Sequence, residues 1–353
     1  LKHKHAKRQT HQPAAKPPSE QVAHDRKVAD LKQDLSRVTT KYQQALKNIS
    51  HLEDRIGFRD AISRGIETFT IKPAHGNGTS EGTTITNASD WHVEEVVQKS
   101  SVNGLNEYTP EIAKARATKF WQGHLRLVRL LQQDIRIDRA VIGLLGDFIT
   151  NQLHEESAEN NAMKPTEAVR FAESLIISGI DFTLNQSKLS LVIPCHSGNH
   201  GRTTKKVHVA SENGHSLEWL MYSHLAEKYA GEARVKFIVP DGYLSYLDIY
   251  GQTVRFHHGH NIKYSGGIGG LFVPAFRGIQ DWNKSRWADL DIFGHHHQMK
   301  DGGNFISNGS LIGYNQYAVS IKAPFEKPRQ TMTLIDKKRG RTCVWPILVT
   351  GDS

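Results

Sequence analysis

The chain has 353 residues, 38% of them hydrophobic, and a formal charge of +9. That length accommodates one large domain with an appendage, and two cysteines, Cys195 and Cys343, exclude a disulfide-held scaffold and fit a reducing compartment. No apolar run approaches the roughly 18–20 residues that cross a bilayer, so a soluble, cytoplasmic protein is expected, in a host cytoplasm if phage-encoded.

Residues 1–21 are basic, contain proline and lack large apolar groups, which predicts a disordered tail. Residues 1–60 hold 13 Lys/Arg against 7 Asp/Glu, so +6 of the +9 lies there. Such an arm attracts nucleic acid by counterion release, or is a solvated tail and nothing more. Val28, Leu31, Leu35, Val38, Tyr42, Ala45, Ile49, Leu52 and Ile56 recur at alternating spacings of three and four. This seam predicts a coiled-coil helix over 22–57 through which the chain self-associates; the alternative is a helix packed on its own catalytic domain.

Residues 58–82 read as a connector with a short strand at 67–72, and 83–353 as one catalytic domain. A strand at 83–87 is followed by a helix at 110–133, a strand at 140–145 and a helix at 165–178. Then come a strand at 189–194, a helix at 217–229 and a strand at 235–239. The remainder is strand-rich, at 246–250, 253–257, 290–293, 331–335 and 342–348, the last two flanking the turn DKKRGR as a hairpin. The alternation predicts an α/β layered domain.

Strand ends carry the chemistry. The first runs into Asp90-Trp91-His92, where an extended chain points residues i and i+2 the same way. The second runs into Gly146-Asp147 and the third into Gly198-Asn199-His200-Gly201-Arg202. Two histidine strings follow, His257-His258-Gly259-His260 and Gly294-His295-His296-His297. Carboxylates, an amide oxygen and imidazoles at strand ends are metal-ligating types. The glycine-rich 263–270 (KYSGGIGG) lacks the phosphate-loop pattern and reads as a rim. The stretch 281–287 (DWNKSRW) reads either as a base-stacking surface or as a helix with two buried tryptophans.

The ordered set Asp-x-His, Gly-Asp, Gly-Asn-His, His-Gly and Gly-His-x-His resembles the calcineurin-like metallophosphoesterase superfamily over about residues 83–348. That superfamily includes Mre11/SbcD-type nucleases, whose character fits best, purple acid phosphatases and Ser/Thr protein phosphatases. The resemblance implies a four-layer αββα sandwich and two divalent ions. Asp90, His92 and His297 would hold one ion, Asn199, His258 and His295 the other, and Asp147 would bridge them. His200 would act on the substrate, and Arg202 is a candidate phosphate clamp by charge and position. His257 and His260 remain alternatives to His258. Two departures stand out: Gly201 replaces the acid that usually follows Gly-Asn-His and orients that histidine, and the second acid of a GDxxD motif is missing from GDFITN.

Two ions about 3.5–4 Å apart would share a hydroxide that attacks phosphorus, with His200 protonating the leaving oxygen. Thiolate-free ligation suits Mn, Fe or Zn, Mn first. The expected activity is phosphodiester hydrolysis, of nucleic acid on the evidence of the basic arm and of Lys205 and Lys206. A phosphomonoesterase is the alternative, and a non-catalytic scaffold a third reading.

Overall fold

The structure is a computed structural model that describes residues 18–63, 68–72, 80–153, 159–207, 212–264 and 269–351. Residues 1–17 of the expected tail, 73–79 of the connector loop and 265–268 of the glycine-rich rim lie outside the described residues. The chain divides into two units, Leu1–Gly57 and Phe58–Ser353. The long element α1 (Pro18–Ser63) is one continuous helix of 46 residues. Its seam residues Leu31, Leu35, Val38 and Tyr42 are between 60% and 67% exposed, so at these positions the apolar stripe faces solvent.

The second unit is two six-stranded sheets with helices outside both. The first sheet uses β2 (Glu81–Ala88), β3 (Arg136–Leu144), β4 (Ser190–Pro194), β5 (Val235–Ile238), β11 (Arg329–Asp336) and β12 (Gly340–Leu348), in spatial order β12-β11-β2-β3-β4-β5. Strands β2 to β5 are parallel. Each returns through a helix: α2 (Pro110–Leu131), α3 (Pro165–Gln186) and α4 (Leu217–Lys228). Pro110 and Pro165 open their helices, where a missing N–H costs nothing. Ser216 caps α4 by accepting from the Trp219 amide at 3.2 Å. The hairpin expected around DKKRGR forms, pairing β11 antiparallel with β12.

The second sheet uses β1 (Thr68–Ile71), β6 (Ser245–Ile249), β7 (Gln252–Phe256), β8 (Leu290–Phe293), β9 (Lys300–Asp301) and β10 (Phe305–Ser307), in order β1-β6-β7-β8-β10-β9. Between β7 and β8 the chain forms α5 (Phe272–Asn283), and α6 (Gln316–Ser320) precedes β11.

Side-chain alternation sorts the core into layers. Ile85, Val141, Val192 and Ile335 of one sheet meet Leu247, Val254, Ile292 and Ile306 of the other. The opposite faces of the same strands, Ala140, Ile142, Ile193 and Leu334, pack under Phe120, Trp121, Ile176 and Leu225 of the helices. Tyr246, Phe293 and Phe305 pack on Ala275, Ile279 and Trp282 of α5. The result is the four-layer αββα sandwich. Burial on both faces explains why β3 ends in the unbroken apolar run that reads so clearly in the sequence. Trp282 is buried but Trp287 is 62% exposed, so 281–287 is not a helix with two buried tryptophans. Among the described residues no helix is long and apolar enough to cross a membrane.

Candidate metal centre

Five loops leave the carboxyl ends of β2, β3, β4, β7 and β8 and converge, drawing on both sheets. Asp90, His92 and His297 bring ligand atoms within 4.8 Å of one another, and so do Asp147, His258 and His295. Asn199 lies with the second group: its Oδ1 is 3.2 Å from His258 Nε2, which is 3.0 Å from Asp147 Oδ2. Of the three histidines in the 257–260 string, His258 is the one whose ligand atom joins the second group. His257 stacks on Phe293 within the α5 layer, and His260 stands edge-on to Tyr243 with its ring 5.5 Å from that of His258.

The extended backbone expected at Asp90–His92 does not form, and the His295–His297 string is not extended either. Asp90, His92, Asp147, His295 and His297 have φ of 56, 46, 53, 67 and 53°, all left-handed. Such conformations cost of order 1–3 kcal/mol each and persist where surroundings over-determine them. Here the loops brace one another. The Asp90 amide donates to the Gly146 carbonyl at 2.9 Å, and the Trp91 and His92 amides to the Asp147 carbonyl at 2.8 and 3.1 Å. The His295 amide donates to the Asp90 carboxylate at 3.0 Å, and Ser89 Oγ donates to the same carboxylate at 2.5 Å. The loops approach so closely that a Cβ on Gly146 would sit 2.2 Å from the Gly198 nitrogen.

The chemistry of the donors fits divalent cations. They are carboxylates, an amide oxygen and imidazoles, with no thiolate. His92 Nε2 is buried without a hydrogen-bond partner, an atom that a cation would satisfy. His258 donates Nδ1–H to the Leu145 carbonyl at 2.6 Å, which aims Nε2 at Asp147 and Asn199. Burial opposes charge on His258, but the Asp147 carboxylate outweighs it and raises the imidazole to about 10. His92 and His295 are held well below the ordinary range by burial and by neighbouring histidines. His297 is raised because Asp90, 3.4 Å away, outweighs its burial.

His200 touches one member of each group. Its amide donates to Asp147 Oδ1 at 2.8 Å, and its ring centroid is 5.1 Å from that of His92. Its Nδ1 donates to the Thr150 carbonyl at 3.0 Å, so a backbone oxygen helps to orient it. Arg202 is largely buried, with Nη1 donating to the Asn199 carbonyl, and it braces the ligand loop.

Sequence reasoning missed Thr150, Glu94, Glu95 and Glu218. Glu218, in the first turn of α4, is fully buried and accepts from the amides of Gly198 (2.7 Å), Phe148 (2.6 Å) and Asp147 (3.2 Å). It ties the loop of Asp147 to the loop of Asn199. A Cβ on Gly201 would meet Glu218 Cγ at 2.8 Å, so the carboxylate from α4 fills the space beside that glycine. Burial and Asp147 raise Glu218 to about 8, and burial raises Glu94 and Glu212 to about 7. No local pattern marks Glu218; Glu94 and Glu95 at least adjoin the Asp-x-His motif.

No protein-family model matches the sequence, and no curated protein does. Among solved structures, the chain is similar to a single mutant of Vps29 from Entamoeba histolytica, at 12% identity and a TM-score of 0.27, covering 71% of this chain and 84% of that one. It is also similar to the sulfate thiohydrolase SoxB of Thermus thermophilus in complex with glycerol, at 9% identity and a TM-score of 0.31. That match covers 79% of this chain and 58% of SoxB.

Proposed function

We propose that the chain is a two-metal phosphodiesterase of the calcineurin-like metallophosphoesterase type, nuclease-like, with nucleic acid as its substrate class. The observation that carries this reading is the pair of three-residue donor groups at the ends of four strands, with His200, from the end of a fifth, in contact with both. Asp90, His92 and His297 would hold one ion, and Asn199, His258 and His295 a second, with Asp147 between them; Mn is favoured, with Fe or Zn next. Divalent ions in such a pair supply an activated water and neutralise phosphate charge.

The chain's own residues do the rest. Because the Thr150 carbonyl takes the Nδ1 proton of His200, Nε2 is the atom that carries a proton to the leaving oxygen. Arg202 holds the Asn199 carbonyl and adds positive charge for phosphate. Exposed Lys205 and Lys206 follow the same loop, and with the basic N-terminal segment they support a polyanionic substrate.

Metal-stripped protein reloaded with Mn should hydrolyse bis-p-nitrophenyl phosphate and single-stranded DNA but not p-nitrophenyl phosphate. Cleavage of the monoester alone would move the reading to a phosphomonoesterase, and the absence of any metal-dependent cleavage to a binding scaffold. We also propose that α1 pairs with a second copy of the chain, since its seam is exposed and a lone heptad stripe buries itself against another. Removing residues 1–57 should lower the mass measured by light scattering while small-ester hydrolysis persists; an unchanged mass sinks the pairing.

A further inference from the structure

Thr150 sits at the position where a GDxxD motif would place its second acid, and it is 3% exposed. Its two polar groups face two different histidines. The hydroxyl is 2.9 Å from His92 Nδ1, and the carbonyl is 3.0 Å from His200 Nδ1. The hydroxyl also contacts Glu95 Oε2 at 3.1 Å, and Glu95 Oε1 accepts from Asn315 Nδ2 at 2.8 Å. Glu94 Oε1 accepts from the amides of Thr150 and Asn151, both at 2.8 Å, and pins the loop.

Proton counting decides the roles. A hydroxyl has one proton, and an ionised carboxylate only accepts. The Thr150 proton therefore goes to Glu95, and the hydroxyl oxygen accepts from His92. His92 must then carry its proton on Nδ1, which leaves a lone pair on Nε2, the buried atom without a hydrogen-bond partner. The Thr150 carbonyl likewise only accepts, so His200 is also protonated on Nδ1 and works through Nε2.

We propose that Thr150, held by Glu95, is a positioning residue that sets the tautomers of His92 and His200 together, one through its hydroxyl and the other through its carbonyl. The inference rests on the reading of His92 as a metal ligand and His200 as a proton donor. It assigns to a neutral side chain, relayed to a carboxylate from the preceding loop, the place the missing acid leaves open. Outer partners of ligating histidines typically contribute 10–100-fold in metal affinity, and that is the effect expected here.

The substitution Thr150→Val deletes the hydroxyl and keeps the carbonyl. In Mn titrations it should weaken one of the two equivalents by about 10–100-fold and spare the other, and Thr150→Ser should restore the lost affinity. Histidine-selective 15N NMR of the metal-free chain gives a readout that needs neither metal nor hydrolysis. His92, assigned by comparison with His92→Gln, should be a single Nδ1-protonated tautomer in the wild type and should shift toward the Nε2-protonated form in Thr150→Val, while His200 keeps its own. If Thr150→Val does not fold, Glu95→Gln removes the carboxylate that draws the hydroxyl proton and should give mixed His92 tautomers. An Nδ1-protonated His92 that persists in every folded variant overturns the inference. A shifted tautomer in a chain that cleaves no phosphoester keeps it and removes only the enzymatic reading.

Discussion

The two donor groups are built differently. The second, Asp147, His258 and His295 with Asn199, is held from the backbone outward. His258 is 0% exposed, its Nδ1 is fixed by the Leu145 carbonyl, and Glu218 clamps three amides of the two loops beneath it. In the first, Asp90, His92 and His297, the Asp90 carboxylate also accepts the His295 amide, but the His92 ring is oriented by side chains, the Thr150 hydroxyl and Glu95, and the His297 side chain is 26% exposed. Backbone partners cannot rotate away, whereas a side-chain relay loses its geometry when any member moves. The second group should therefore be the tighter metal site and the first the more exchangeable one.

The sharpest way to break this comparison is His258→Ala. It should abolish turnover and remove the tighter of two Mn equivalents in a titration; loss of the weaker equivalent instead would invert the assignment. His200→Ala comes next, with an expected fall in kcat of about 10²–10⁴-fold and both Mn equivalents retained. If that variant binds no metal, His200 is misassigned. Gly201→Ala probes the clamp of the second group. Its Cβ meets Glu218 Cγ at 2.8 Å and Oε2 at 2.9 Å, so a loss of about 1–3 kcal/mol by overpacking is expected in denaturant unfolding. An unchanged midpoint would mean that Glu218 yields freely and clamps nothing.

The smallest effect expected is in pH. Glu94 and Glu212, at about 7, and Glu218, at about 8, titrate above the ordinary carboxyl value, so the folded chain binds more protons than the unfolded one between about 4.5 and those values. Their stabilisation is present below that window and is lost as pH rises through it. His258, raised to about 10, acts in the same sense above 6.5. The lowered histidines, among them His124 at about 4 and His260 at about 3, act in the opposite sense but only below 6.5. Without metal, Tm should therefore fall from pH 6.5 to 8.5, and Mn should blunt the fall by displacing the His258 proton. A flat or rising Tm would mean that these carboxyls are not held protonated.

Much of this was legible in the residues. The run Ala140–Leu145 announces a strand buried on both faces, and β3 ends at Leu144, one residue before Leu145. The histidine-bearing strings at strand ends announce where ligands gather, because parallel strands alternating with helices bring their carboxyl ends to one side. Element ends were less legible: α3 runs to Gln186, eight residues beyond the expected 178, because its last turns continue to bury Ile180, Thr183 and Leu184. The strand Phe305–Ser307 was not anticipated, since three residues carry no period of their own.

By itself, then, the sequence determined the layered α/β class, the seam of α1 and the donor types, since these follow from local period and side-chain chemistry. The tertiary structure alone decided which of His257, His258 and His260 faces Asp147, that the backbone at Asp90, His92, Asp147, His295 and His297 is left-handed rather than extended, and that Thr150 and Glu218 bond into these loops. Those outcomes depend on loop dihedrals and on partners far away in the chain. Glu218 reaches Asp147 across 71 residues and His258 reaches Leu145 across 113, and no local pattern encodes a contact at that separation.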